Sequence, residues 1–373
     1  MYRSIETQQN WLEKMVKRKR IPLSFSLEIT ARCNNNCRHC CINLPADDSR
    51  ARSAELTRQE IADIADQAVE MGALTCLLTG GEPLLRPDFP DIYLGLKRKG
   101  LLVSVFTNAT LIGEQHVELW KRYQPRDLEV TVYGVTHATY EAVTRRPGSF
   151  DAFRTGLRLL LDNGISVRLK AMALRSNFLE FKQIADFCRR YTEGLYRFDP
   201  LLHLRYDGNP RRNAEILDER LSPEEIVSLE RADPERLSAL NEHCHHLIRE
   251  ASHDSACAHL FRCGAGVGSF AISYDGLFRL CDSLWAQGTT YDLRRGTLSE
   301  AWLDFVPWVR NLPSQNLQRR QTCWGCPLIN LCLSCPAYTH LETGDMEGTT
   351  PYFCSVARAR AAMLQETSHV SRR

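Results

Sequence analysis

No apolar run in this 373-residue chain approaches the roughly 18 residues that a membrane-spanning helix needs. Its first twenty residues, MYRSIETQQNWLEKMVKRKR, are polar and charged and hold no apolar core of a signal peptide. Net charge is scarce too. Lys and Arg number 47 against 45 Asp and Glu, a balance of +2, which gives no bulk attraction for a polyanion. Nucleic acid and membrane are therefore not expected partners. Long internal repeats and low-complexity linkers are missing as well. What remains is an ordinary globular composition, 43% hydrophobic and 25% charged. It is long enough for one large domain and a smaller one.

Cysteine is the exception, with 15 copies. The number is odd, and a chain of this size does not need disulfide staples. A cytoplasmic location, which keeps thiols reduced, is expected, and with it metal or cluster binding. Four cysteines fall in TARCNNNCRHCC, residues 30–41. The other concentration begins near residue 257.

The first 200 residues alternate two periodicities. FSLEIT, residues 25–30, reads as a strand running into the cysteine loop. LTRQEIADIADQAVEMG reads as a helix: Thr57 and Glu60 form a capping box, Ile61, Ile64, Ala65 and Ala68 recur at helical spacing, and Gly72 ends it. TCLLTGGEP is an apolar strand ending in a glycine turn. Strands LLVSVFTN, DLEVTVYG and ISVRLKAMAL follow, with helices near 112–123, 149–163 and 177–191, and LYRFDP closes the series. Six strands alternating with helices predict an α/β fold with a parallel sheet, as a partial (β/α)6 TIM-type barrel rather than an open doubly wound sheet. Chemistry in such a barrel sits at the C-terminal ends of the strands. The Cys33 loop, the Gly80-Gly81 turn, Asn108, Gly134 and Asn177 all fall there.

The expected division is an N-terminal extension 1–22, the barrel 23–200, a helical linker region 201–256, a Cys-rich α+β domain 257–360 and a tail 361–373. Ser222, Pro223 and Glu225 cap a helix in the linker.

Cys33, Cys37 and Cys40 supply three thiolates from one loop. A structural zinc ion wants four closed ligands, and Cys41, adjacent to Cys40, is poorly placed as the fourth. A [4Fe–4S] cube has four corners, so three cysteines leave one iron open. The spacing Cys33-x3-Cys37-x2-Cys40 after the first strand resembles that of the radical S-adenosylmethionine (radical SAM) enzymes. The turn Gly80-Gly81-Glu82-Pro83 is similar to that family's GGEP turn, which contacts the methionine amino group. Two glycines let a backbone approach a neighbour, and Glu82 has the chemistry to accept from an ammonium. TNATLI resembles the family's third-strand motif, which makes Asn108 a SAM-pocket residue. Thr131 stands where a serine often meets SAM, and Asn177 lies near the expected adenosine side. His39 and Tyr133 replace a frequent aromatic and a frequent aspartate of the family.

The spacing Cys257-x5-Cys263-x17-Cys281, then Cys323-x2-Cys326-x5-Cys332-x2-Cys335-x18-Cys354, resembles the SPASM extension of radical SAM proteins, Gly276 included. The resemblance implies two auxiliary clusters, for three [4Fe–4S] clusters in all together with SAM. Carried over by position, Cys257, Cys263, Cys281 and Cys335 hold the first auxiliary cluster. Cys323, Cys326, Cys332 and Cys354 hold the second. The plainer reading, a zinc ribbon on Cys323, Cys326, Cys332 and Cys335, leaves the other four without a role. Cys76 and Cys188 are expected to be buried thiols. The HCHH run at 243–246, with His253 and His259 near it in sequence, is either a solvated helix end or a metal site.

The family likeness implies reductive cleavage of SAM to a 5′-deoxyadenosyl radical, which abstracts hydrogen from a peptide or protein side chain. A flavodoxin- or ferredoxin-type donor would supply the electron, and the auxiliary clusters would relay one. Asp282, after Cys281, is the candidate base, with a plain turn aspartate as the alternative. Tyr133, Lys170, Arg197 and Arg205 are candidate cavity residues, subject to strand alternation. The residues before the first strand are too few for a leader-binding domain, so a separate recognition protein or direct binding is expected. Lys17, Arg18, Lys19 and Arg20 suit an acidic leader or a solvated face. Two other functions fit: a radical SAM enzyme of cofactor or tetrapyrrole synthesis, and a non-enzymatic iron–sulfur electron carrier.

Overall fold

The computed structural model describes residues 20–192, 196–242, 247–249, 259–333 and 335–370. Lys17 to Lys19, the run 243–246, His253 and Cys257 lie outside them. The chain divides into two compact units. The first gathers Met1–Met172, Ser176–Asp199 and Cys263–Val309, and the second Ala173–Arg175, Pro200–Arg262 and Arg310–Arg373.

The first unit is built on one sheet. Strands β1 (Ser24–Thr30), β4 (Thr75–Gly80), β5 (Leu102–Thr107), β6 (Leu128–Val132), β7 (Arg168–Met172) and β8 (Arg197–Asp199) lie side by side in chain order, each parallel to the next. Sequential order without a reversal is the winding of a barrel rather than of a doubly wound sheet. The small pair β2 (Arg32–Cys33) and β3 (Leu44–Pro45) stands apart. On the far side of β1 the sheet continues through β9 (Ser269–Ile272), β10 (Leu277–Arg279) and β11 (Thr290–Asp292). β9 runs parallel to β1, while β10 and β11 are antiparallel. The segment expected to sit wholly within a separate Cys-rich domain therefore contributes residues 263–309 to the barrel's own unit. The cause is backbone pairing: Ser24 to Leu27 are matched one for one by Ser269 to Ile272, and Phe25 stacks on Phe270 at 5.3 Å.

Alternation along the strands sorts the side chains. Leu27, Ile29, Leu78, Val103, Val105, Val130, Val132, Leu169 and Ala171 are buried and make the apolar layer. The intervening positions are different in kind: Ser26, Glu28, Thr79, Phe106, Glu129, Thr131, Lys170 and Met172 share the opposite face. A face dominated by hydroxyls and charges is a lining, not a core. Helices α1 (Ser49–Ala54), α2 (Arg58–Glu70), α3 (Phe89–Arg98), α4 (Glu114–Arg122), α5 (His137–Thr144), α6 (Ser149–Asp162) and α7 (Phe181–Tyr191) complete this part of the unit. The expected capping box is present: Glu60 N donates to Thr57 Oγ1 at 3.2 Å, and Thr57 N to Glu60 Oε2 at 2.7 Å. Cys76 and Cys188 are buried, as expected of packed thiols.

The second unit is helical. α8 (Pro210–Glu219), α9 (Pro223–Ala232), α10 (Pro234–Glu242), α11 (Pro336–Thr343) and α12 (Pro351–Val370) carry it. Two buried ion pairs tie distant stretches together. Arg360 donates to both oxygens of Glu230, at 2.7 and 2.9 Å, and Arg220 pairs with Glu342 beneath the Tyr352 ring. Single-partner removal from such pairs is costly because it strands a buried charge. Among the described residues no helix is long and apolar enough to cross a membrane.

Candidate active site

The cysteine loop begins where β1 ends, and its first turn is fixed before any cysteine is reached. Arg32 is buried and forms a fork-to-fork pair with Glu55, Nε to Oε1 at 2.7 Å and Nη2 to Oε2 at 3.1 Å. Its Nη1 donates to the Ala46 carbonyl at 3.0 Å, and the Thr30 hydroxyl also donates to Glu55. Arg32 thus sets the backbone of Cys33. Farther along, Asn36 N donates to Thr144 O at 2.9 Å and Arg38 N to Val143 O at 3.1 Å. The last turn of α5 receives the loop. Arg145, in the left-handed region at φ 52°, reaches back through Nε to the Asn36 carbonyl at 2.8 Å.

The three thiols feel one another. Burial pushes the Cys33 thiol well above its ordinary range, and the neighbouring Cys37, Glu82 and Cys40 add to this. Burial likewise raises Cys37, helped by Cys40 and opposed by the Tyr133 hydroxyl and the Arg145 charge. Crowded, desolvated thiolates ask for a cation. Each cysteine of a [4Fe–4S] cube takes a different iron, so the sulfurs need not converge on one point. Among the described residues no three Cys, His, Asp or Glu side chains gather as a single ion requires. The donor set of Cys33, Cys37 and Cys40 fits a cluster with one iron left without a protein ligand.

The glycine turn is locked to that loop. Gly81 N donates to Thr30 O at 2.7 Å and Glu82 N to Arg32 O at 2.9 Å. A Cβ on Gly80 would lie 2.1 Å from Thr30 O, and one on Gly81 2.2 Å from Arg32 O. The two glycines are therefore required by the chain's own approach to β1. Pro83 is buried in the turn that follows. Glu82 is fully enclosed. Its Oε1 accepts from the Thr107 hydroxyl at 2.8 Å and Leu84 N at 3.1 Å, and its Oε2 from Asn108 N at 2.7 Å. Burial outweighs these donors and lifts its pKa to about 7. The carboxylate expected to accept an ammonium is spent on joining the ends of β4 and β5.

Asn108 ties the end of β5 to the cysteine loop. Its Nδ2 donates to Asn34 Oδ1 at 2.9 Å and points at Cys33 Sγ at 3.8 Å. Thr131 is half-buried on the lining face, in register with Lys170. Asn177 is buried and donates to the carbonyls of Tyr133 and Met172, both at 2.9 Å, so it clips two strand ends together. Tyr133 stands 5.2 Å from the His39 ring. Burial, aided by the charge of Lys170, lowers His39 to about 4, which keeps it neutral beside the loop.

Below this level the lining carries charge. At one wall Arg279 is fully buried, donates to Glu28 at 2.8 Å and to the Asp282 carbonyl at 2.8 Å, and lies 3.7 Å over the Trp285 ring. Trp285 Nε1 donates to the same carbonyl at 3.0 Å. The exposed Asp282 carboxylate accepts from the Ser26 hydroxyl. At the other wall Lys170 and Arg197 meet Glu129. Arg205 does not join them. It lies in the second unit, buried and held by Asp207 through Nε and Nη2, because its stretch forms no barrel strand.

Of the remaining cysteines, Cys263 is exposed and Cys281 half-buried in the first unit. Cys323, Cys326, Cys332, Cys335 and Cys354 are half-buried in the second. Cys326 N donates to Cys323 O at 3.2 Å, and Cys335 caps α11, its sulfur accepting from Tyr338 N at 3.5 Å.

Arg32, Glu55 and Arg145 carry no motif, and only the adjacency of Arg32 to Cys33 marks any of them. Arg145→Ala is expected to release the cluster about tenfold faster under a chelator, the lower end of the cost of losing a ligand-orienting partner. Arg145→Gly should release it similarly but unfold later than Arg145→Ala, because glycine relieves the left-handed backbone.

Residues 27–188 match the radical SAM superfamily. A protein of Bacillus subtilis strain 168, the antilisterial bacteriocin subtilosin biosynthesis protein AlbA, is 29% identical over 170 residues. The match covers 45% of this chain and 37% of AlbA, well under two thirds of that relative's length. The Fe-coproporphyrin III synthase of Methanosarcina barkeri is 25% identical over 333 residues, covering 82% of this chain and 80% of that protein. In fold, the chain is similar to Streptococcus suis SuiB bound to precursor peptide SuiA. The TM-score is 0.65 at 15% identity, over 94% of this chain and 79% of that one.

Proposed function

We propose that this chain, whose residues 27–188 match the radical SAM superfamily, is a radical SAM enzyme that modifies a peptide or protein side chain. The observation that carries the reading is the clasp between the Cys33–Cys40 loop and the Gly80–Pro83 turn at the C-terminal strand ends. Cys33, Cys37 and Cys40 would hold a [4Fe–4S] cluster. Bound there with SAM, it would supply the electron that yields a 5′-deoxyadenosyl radical able to take hydrogen from the substrate. The polypeptide's part is positional. Arg32, Glu55 and Arg145 hold the loop, Asn108 faces it, and neutral His39 and Tyr133 close its side. Asp282, steadied by Ser26 and by the turn that Arg279 and Trp285 fix, is offered as the group that accepts a substrate proton.

A peptide substrate is supported by the likeness to AlbA and, for the fold, to SuiB. Two auxiliary clusters on the cysteines of 257–354, an electron relay through them, a flavodoxin- or ferredoxin-type donor, a separate leader-recognition protein and a cytoplasmic setting complete the proposal. The second reading, tetrapyrrole or cofactor synthesis, is favoured by the broader coverage of the Fe-coproporphyrin III synthase match.

The test is oxygen-free purification and reconstitution, with iron and sulfide counted. SAM and reductant are then added, and 5′-deoxyadenosine is measured by mass spectrometry. Precursor peptides and Fe-coproporphyrin are then offered, and mass loss in one class selects between the readings. Cys326→Ala should retain SAM cleavage while ending substrate turnover. Loss of both together would place Cys326 in the first cluster's support instead.

A further inference from the structure

We propose that Lys170 and Arg197 form a subsite for a carboxylate carried by the substrate. The assignment of this lining face to the substrate rests on the radical SAM reading; the subsite itself rests on geometry. Lys170 and Arg197 are register partners on neighbouring strands. Both reach the same atom, Glu129 Oε1, Nζ at 2.9 Å and Nη2 at 3.2 Å. An ammonium and a guanidinium carry eight N–H donors between them. Against these stand, among the described residues, one shared oxygen and Asp199, 3.8 Å from Nη2 and beyond hydrogen-bond reach. The two cations are therefore gathered at one point with donors to spare.

The setting favours a ligand over a mere surface pair. Lys170 lies 4.5 Å over the Phe106 ring, and its side chain is 15% exposed, as Glu129's is 13%. Arg197 is 53% exposed and available. In a partly desolvated wall, charge-assisted hydrogen bonds gain strength. The group already seated there is a carboxylate, so a second carboxylate fits by the same chemistry. The guanidinium fork suits it in a way a single ammonium would not. The substrate would then be a molecule that carries an acidic group. In a peptide the source is an Asp or Glu side chain or a free C-terminus.

The test uses reconstituted full-length protein with SAM and no reductant, titrated calorimetrically. The probes are an acetylated, amidated pentapeptide with one central Glu, its Gln twin, and an alanine pentapeptide ending in a free carboxylate. Expected is a preference of about tenfold for one acidic probe over its neutral counterpart, the size of one charge-assisted hydrogen bond. Which acidic probe wins identifies the source. Lys170→Gln and Arg197→Gln should each erase the preference. Glu129→Gln should enlarge it, because it removes the internal competitor. A folding defect would weaken all three variants alike, so opposite signs are diagnostic. Equal binding of acidic and neutral probes, or weakening in Glu129→Gln, overturns the proposal. Separately, wild-type protein that makes no 5′-deoxyadenosine with reductant would fault the radical SAM reading and leave the binding result to stand by itself.

Discussion

Cys37→Ala should yield no 5′-deoxyadenosine above background while the protein stays folded. Cys37 is the deepest of the three loop thiols, 6% exposed. With Cys37 lost, only Cys33 and Cys40 would be left to hold the proposed cluster, which three cysteines already leave with one open corner. Losing a residue that merely orients a ligand costs about 10–100-fold, so loss of a ligand itself should exceed about 100-fold. The loop's shape rests on backbone bonds more than on this sulfur. Asn36 and Arg38 are held by backbone bonds to Thr144 and Val143, and Cys40 N donates to Cys37 O at 3.2 Å. Stability should therefore fall by only about 1 kcal/mol, the middle of the range for a single substitution. Iron per chain should drop by one cluster's worth, and the melting transition of the metal-free protein should barely move. Retained cleavage at a tenth of the wild-type rate or more would remove Cys33, Cys37 and Cys40 as the cluster's ligands.

Much of this site was legible in the sequence because its parts are local. Three cysteines in eight positions, and a Gly-Gly-Glu-Pro turn after an apolar strand, each sit within one loop. The alternation of strand and helix then put both loops at one end of a barrel. The supports were not legible, because they depend on contacts distant in sequence. Arg32 meets Glu55 across 23 residues with no periodicity to announce it. α5 has a weak helix signal: HATYEAVT carries two threonines and a histidine, all indifferent helix formers. Its value lies in ending where the cysteine loop needs acceptors. β9 to β11 lie inside the cysteine-rich segment and are only 4, 3 and 3 residues long, too short for a clear alternation, although Ser269 to Ile272 pairs with β1 residue by residue. Glu82 was recognised as important on grounds of a ligand's ammonium. In the structure it serves first as a joint between two strands, since a carboxylate without a solvent path must satisfy itself within the protein.

That joint gives the second large effect. The folded Glu82 holds its proton to about pH 7, whereas an ordinary glutamate lets go near 4.5. Between those values the unfolded chain ionises and the folded chain does not. Stability is therefore full below about pH 4.5, declines as pH rises, and is lowest above 7, by about 3 kcal/mol for a shift of this size. Other groups push the opposite way. His39 and His116 are lowered by burial, so they cost stability as pH falls through about 6.5. The wild-type curve alone would mix these. Glu82→Gln isolates the carboxylate: its amide oxygen can replace Oε1 toward Thr107 and Leu84, but its NH2 faces Asn108 N, donor against donor. At pH 5 the variant should be less stable by about 1–3 kcal/mol, the cost of one orphaned buried donor. By pH 8 the gap should close or reverse, because wild type then carries a buried charge and the variant does not. SAM affinity should fall at every pH, since Asn108, the residue facing Cys33, loses its anchor. Chemical denaturation of both proteins at half-unit steps from pH 5 to 8 measures this directly. Two curves that run parallel would mean that Glu82 is ionised throughout, and that its three donors outweigh its burial after all.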